Sequence, residues 1–302
     1  MAELTHPSQR PARLPDRVSS PPSGPPSGRF SLPPGVPAPP PDPTVIEAIG
    51  DRVSSFLAHL GHISGIFGAA VVAMFRRPFE FRAIVAQMES LGVRSVGIAS
   101  VTAIFIGMVM AVQFAFGLQK FGGMEYTGRV VGLSFARELA PTLTAVIVGG
   151  RIGSGMTAEV GSMAVTEQID AIYALGADPI KKLVVPRLIA SVIVLPVLAT
   201  FSLVLGFSGA MIVTATQFNV SAGFFLETAL DTLQMGDYWS GVCKCPVFGA
   251  IIALVGCYFG LITTGGTEGV GRSTTRSVVV ISITILIADF FLTKIYMFIW
   301  SL

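Results

Sequence analysis

The chain has 302 residues, 52% of them apolar and only 13% charged, with a mean hydropathy of +0.71. Soluble domains carry about 25% charged residues, so this composition excludes an ordinary soluble enzyme or nucleic-acid-binding module and points to an integral membrane protein. The formal net charge of +2 names no partner; the placement of the basic residues carries more information.

Residues 1–44 hold 14 of the 20 prolines, with serines, several arginines and no apolar run. Such a segment cannot bury a core and is expected to be a disordered tail. It also lacks the apolar stretch of a secretory signal, so no cleavage is expected. Ile63–Phe75 is apolar but 13 residues long. At about 1.5 Å per residue it falls short of a hydrocarbon core about 30 Å thick, which predicts an interfacial or re-entrant helix.

Five longer apolar segments follow. They read as spans at 96–118, 130–157, 188–214, 238–264 and 277–300, which makes the fold class all-α and polytopic. The second span contains Arg137, Glu138 and Arg151, the fourth contains Lys244, and the fifth contains Asp289 and Lys294. If the spans alternate, segments 52–94, 151–187 and 272–276 share one side and hold eleven lysines and arginines, against Lys120 and Arg129 opposite. The lysine and arginine bias makes the basic side cytoplasmic, with the amino terminus inside and the carboxyl terminus outside.

Between the second and third spans lies TAEVGSMAVTEQIDAIYALGADPIKKL, Thr157 to Leu183, the densest mixed charge in the chain. Thr166 is expected to cap a short helix, with Glu167 in its first turn and Gly176 just past its end. Ile169, Ile172 and Tyr173 share one face, while Glu167 and Asp170 point elsewhere. Asp178-Pro179 reads as the start of the next helix. This pattern suits a loop helix packed on the bundle, and it equally suits a coupling helix whose apolar anchors enter a groove on a cytoplasmic motor. Periodicity does not separate the two.

Ala145, Gly149, Gly153, Thr157 and Gly161 recur every four residues, a ridge for close helix packing either within the chain or between two copies. GGRIGSG lacks the Lys-Ser/Thr of a phosphate-binding loop and follows no strand, so ATP hydrolysis is not expected of this chain. Cys243, Cys245 and Cys257 lack metal-ligand spacing and read as small packing residues. Arg137, Glu138, Lys244 and Asp289 would each cost about 2.5 kcal/mol or more near the bilayer centre unless paired or wet. Helix rise places all four in one slab of the outer half, where their charges sum to zero. A charge network around an outward cavity is the expectation; independent residues reaching for the interface are the alternative.

FIGMVMAVQ (Phe105–Gln113), FARELAPTLTAVIVGGRIGSGMTAEVGSMAVTEQIDAI (Phe135–Ile172), DPIKKLVVPRLIAS (Asp178–Ser191), GRSTTRSVV (Gly271–Val279) and DFFLT (Asp289–Thr293) resemble the MlaE/YrbE permease family, the membrane subunits of ABC transporters that work with MCE-domain proteins. The resemblance covers about residues 50–300 in one order. It implies a permease domain over 45–302, with an elbow region at 45–94, in a homodimer in the inner membrane. It also implies a separate cytoplasmic ABC ATPase that binds ATP and Mg, a periplasmic MCE-domain protein, in some members a STAS-domain protein, and a phospholipid or other hydrophobic lipid as cargo. By the same resemblance Glu159 to Leu175 holds the coupling helix, with Glu159, Glu167, Ile169, Asp170, Ile172 and Tyr173 facing the ATPase. Arg137, Glu138, Lys244 and Asp289 match intramembrane charged positions, and Met110, Leu118, Phe121 and Leu139 match a lipid-cavity lining beside Arg137. No metal, cofactor or nucleic acid is implied for this chain. Two other classes stay open: a secondary transporter that couples ions through the intramembrane charges, and a membrane enzyme of lipid metabolism. His6, His59 and His62, the three histidines, all precede the first span.

Overall fold

The computed structural model describes residues 45–74 and 80–300. The proline-rich tail and most of the arginine-rich stretch after Phe75 lie outside the described residues. No strand occurs among the described residues. Two units divide the chain at Asp51/Arg52, and apart from the opening turns of α1 everything below concerns the second.

Helix α1 runs Val45–Met74, longer than its apolar part, since only Gly61–Met74 is a short apolar helix. The five membrane-length segments are Phe81–Gln119, Met124–Val165, Ile180–Gln217, Met235–Leu261 and Gly266–Ile299. Four of the five are therefore longer than the apolar runs expected from sequence, and the fourth, of 27 residues, begins and ends three residues earlier than the 238–264 expected. Polar turns continue beyond the hydrocarbon slab because helical hydrogen bonding does not require an apolar surface. In chain order the α-helices after α1 are α2 (Phe81–Gln119), α3 (Thr127–Ser134), α4 (Ala140–Val165), α5 (Gln168–Ala174), α6 (Val185–Gln217), α7 (Ala222–Thr232), α8 (Met235–Val242), α9 (Cys245–Leu261) and α10 (Gly266–Trp300), with α5 and α7 in the connections between segments.

Prolines place the interruptions. Two π-helical turns, Phe135–Leu139 and Ile180–Val184, precede α4 and α6. Each lies just before a proline at the next helix's start, Pro141 and Pro186. A third, Pro246, opens α9 after the break at Cys243–Lys244. A proline has no N–H to give to the carbonyl four residues back, so the helix must rewind or stop there.

Packing uses small residues, as close approach in lipid requires. A Cβ on Gly107 of α2 would collide with the backbone of Gly206 on α6, so these two helices cross nearly backbone to backbone. The ridge of Ala145, Gly149, Gly153, Thr157 and Gly161 faces inward. Gly149 and Gly153 meet Ile252 of α9 and Ile281 of α10, and the Thr157 hydroxyl lies 2.9 Å from both the Gly256 carbonyl and Ser277 Oγ. The ridge is thus an intramolecular seam, one of its two expected roles. By contrast α10 keeps a long apolar face exposed, including Ile283, Leu286, Phe290 and Ile295.

One turn departs from expectation. α4 continues to Val165 and Thr166 closes it, its hydroxyl donating back to the Ser162 carbonyl at 2.8 Å. Glu167 then turns the chain with φ +58° and caps α5. Gly176 does follow the helix end with φ +75°, and Asp178 Oδ1 accepts from the Ile180 N–H at 2.9 Å. The 215–237 connection, read as a loop, contains α7, capped by Ser221 Oγ at 3.2 Å from Phe224 N.

Candidate functional site

The π turn Phe135–Leu139 sets the first half of the site. Its wide bond runs from the Ala140 N–H to the Phe135 carbonyl, and it presents Arg137 and Glu138 side by side. Pro141 cannot donate to the Arg137 carbonyl. Lys244 Nζ takes that acceptor instead, at 3.3 Å. Lys244 sits at the α8–α9 break with its side chain 4% exposed. Its three N–H groups are shared among the Arg137 carbonyl, Glu138 Oε2 at 2.9 Å, Asp289 Oδ1 at 3.2 Å and Thr293 Oγ1 at 2.7 Å. The Thr293 hydroxyl in turn donates to Glu138 Oε1 at 3.1 Å. One ammonium thereby fastens three spans, and desolvation is tolerable because every donor has an acceptor.

Arg137 belongs to a neighbouring pair. Its Nε donates to Asp237 Oδ1 at 2.7 Å. Asp237 is buried, and its other oxygen accepts from the Gln234 N–H at 3.0 Å in a capping box at the start of α8. Counting Asp237, two cations face three carboxylates, so the cluster carries one net negative charge rather than the zero expected from four residues. The sequence reading missed Asp237 because it fell in a connection; the Gln234-x-x-Asp237 spacing of a helix start was the available signal.

These groups border a cavity of about 410 Å³, lined by Leu133, Ser134, Arg137, Glu138, Lys244 and Met297 among others. That is within the range of small-ligand pockets. Arg137 and Glu138 are the more open charges, with side chains 45% and 39% exposed. Of the residues expected to line a lipid cavity, Arg137 borders this one. Leu139 lies beside Phe135 and Thr102 against a much smaller space. Met110 and Leu118 are half-buried on α2, and Phe121 is 88% exposed just after it.

At the other end of the bundle α5 connects α4 to α6. Ile169 and Ile172 are half-buried, with Ile169 packed on the core, whereas Tyr173 is 62% and Leu175 85% exposed. Glu167 and Asp170 are exposed. Glu159 lies not on α5 but two turns before the end of α4, where Oε2 accepts from Arg187 Nη2 of α6 at 2.9 Å. Arg187 is buried and also donates to the Leu183 carbonyl at 2.8 Å. Hence both stems of α5 are tied by one ion pair, a link the charge spacing alone did not show.

The architecture defines a multi-pass, all-α membrane protein with a charged cavity at one end and an exposed apolar-and-acidic helix at the other. Residues 84–295 match the family described as Permease MlaE, and the chain belongs to that family of ABC transporter permeases. A probable ABC transporter permease protein of Synechocystis sp. is 45% identical over 207 residues, 68% of this chain and 79% of its own length. Another from Rickettsia conorii is 36% identical over 252 residues, 83% of this chain and 97% of its own. The chloroplastic protein TRIGALACTOSYLDIACYLGLYCEROL 1 of Arabidopsis thaliana is 37% identical over 231 residues, 76% of this chain and 66% of its own.

Proposed function

We propose that this chain is the membrane subunit of an inner-membrane ABC transporter that moves phospholipid or a related hydrophobic lipid between inner and outer membranes. The amino terminus and α5 face the cytoplasm, where a separate ATPase binds ATP and Mg. An MCE-domain protein lies on the periplasmic side, a STAS-domain protein joins the ATPase in some assemblies, and the permease works as a homodimer. The long exposed apolar face of α10 supports burial against a second copy or lipid.

The observation that carries the reading is the pairing of a dipolar cavity wall with a mechanical connection to α5. Arg137 offers a guanidinium to a phosphate and Glu138 a carboxylate to an ammonium, a match for a lipid head group. Leu133 and Met297 continue the wall with apolar surface suited to the first carbons of the acyl chains. Tyr173 and Leu175 present apolar anchors beside Glu167 and Asp170, as helix-in-groove docking needs. α4 has 26 residues, a lever of about 39 Å from α5 to the π turn that holds Arg137 and Glu138. Closure of the ATPase shifts α5, the Glu159–Arg187 tie moves α4 and α6 together, and the cluster around Lys244 is reshaped. The head group then exchanges its protein partners for water or the next carrier.

The break at Lys244 favours one other reading, a secondary transporter, because broken helices carry ion sites in that class. Reconstitution separates the two. The purified chain with its ATPase in proteoliposomes is expected to move labelled phospholipid only with hydrolysable ATP. Movement by the chain alone, driven by an ion gradient, would establish the other reading.

A further inference from the structure

The motif GRSTTRSVV has no part in either the charged cavity or α5. It forms the start of α10 and lines a second cavity, of about 560 Å³, where α9 ends. Arg272 and Arg276 stand four residues apart, both exposed, with Ser273 and Thr264 beside them. Arg276 has no ion pair among the described residues, and Arg272 reaches only Glu268, at 4.0 Å and with both side chains largely in solvent. Below the arginines the wall turns apolar at Phe259, Ile262 and Val279. Ile262 and Val279 are 46% and 52% exposed, as residues that meet lipid are.

The cavity is built rather than incidental. Gly265 and Gly266 hold φ of +87° and +65°, a conformation that L side chains rarely adopt. A Cβ on Gly269 would collide with the Thr264 carbonyl, so only glycine lets the first turn of α10 fold this tightly over the end of α9. The site lies at the α5 end of the bundle, because Thr263 packs on Gly161 of α4. Arg276 and Asp289 are 13 residues apart on one helix, about 20 Å, so the two cavities are separate.

The geometry points to a binding site for an anionic phospholipid of the leaflet on the α5 side: the paired guanidiniums and hydroxyls hold the phosphodiester, and the apolar wall receives the chains. Planar donors above an apolar slot fit a phosphate attached to acyl chains better than a free ion, which has no use for Ile262 or Val279. The site holds a resident lipid at the water boundary and is distinct from the cavity around Lys244.

Native mass spectrometry of the full chain in mixed micelles tests this. With equal phosphatidylglycerol and phosphatidylcholine, the protein is expected to retain phosphatidylglycerol selectively. The double substitution R272Q/R276Q should lower that retention about thirtyfold, from two arginines near an anionic head group. R129Q, an exposed arginine at the opposite end, should change nothing, and circular dichroism reports the fold of each variant. Three results overturn the assignment: unchanged retention in R272Q/R276Q, equal retention of both lipids, or displacement by glycerophosphoglycerol as readily as by lipid, which would mark a soluble-phosphate site. A cross-link from Arg272 to the ATPase that excludes lipid would assign the surface to a protein instead. The readout needs no ATP, so its failure leaves lipid transport standing, and failed transport by the wild-type assembly leaves this site standing.

Discussion

Removing the Lys244 ammonium is the sharpest perturbation of the charged cavity. In K244M the carboxylates of Glu138 and Asp289 stay in place without the cation that holds them at 2.9 and 3.2 Å. Breaking a buried ion pair from one side costs about 3–5 kcal/mol, because the remaining charge stays desolvated. Here Glu138 is 39% and Asp289 17% exposed, so water relieves part of the cost and about 2–3 kcal/mol is expected. At about 2–4 °C per kcal/mol for a chain of this size, the apparent melting temperature in detergent should fall by about 5–10 °C. The triple variant E138Q/K244M/D289N removes the stranded charges as well and should recover most of that loss. A K244M protein melting within about 1 °C of wild type, or a triple variant no better than the single one, would refute an energetically coupled cluster.

Three further outcomes follow from the geometry. E159Q should destabilise more than R187M, by about 2 kcal/mol against less than 1, because it strands an arginine 8% exposed whereas R187M frees a carboxylate 56% exposed; chemical denaturation of both variants checks the order. G107V should fail to accumulate in membranes, since its side chain would enter the Gly206 backbone, while G117A, with open space around its Cβ, should accumulate normally; immunoblots of membrane fractions decide. E167G relieves a left-handed residue at φ +58° and should hold or raise the melting temperature, by up to about 1 kcal/mol of stability, while lowering lipid-stimulated ATPase activity of the assembly.

The architecture was legible because a membrane helix declares itself by length and apolar content. Five spans and their order follow from that, and the short helix between the second and third follows from its turn residues and the spacing of Ile169, Ile172 and Tyr173. Helix ends were less legible, since Phe81–Val96 and Ala158–Val165 are helical without being uniformly apolar. The charged site was half legible. Arg137, Glu138, Lys244 and Asp289 stand out against apolar neighbours, but their pairing depends on a π turn and a helix break that prolines impose through hydrogen bonds they cannot make. Arg137 consequently meets Asp237, a residue outside the apolar run. On α5, periodicity grouped Ile169 and Ile172 with Tyr173; only the packed structure shows Ile169 turned to the bundle and Leu175 turned out.

The central claim is that α5 touches an ATP-hydrolysing partner. A photo-cross-linking amino acid placed at Leu175, 85% exposed, tests it in cells expressing the native complex, with Phe121 at the opposite end as the control position. The account requires an adduct from Leu175, and none from Phe121, with a subunit that binds ATP. Adducts from Leu175 only with lipid or with a second copy of the chain would contradict it.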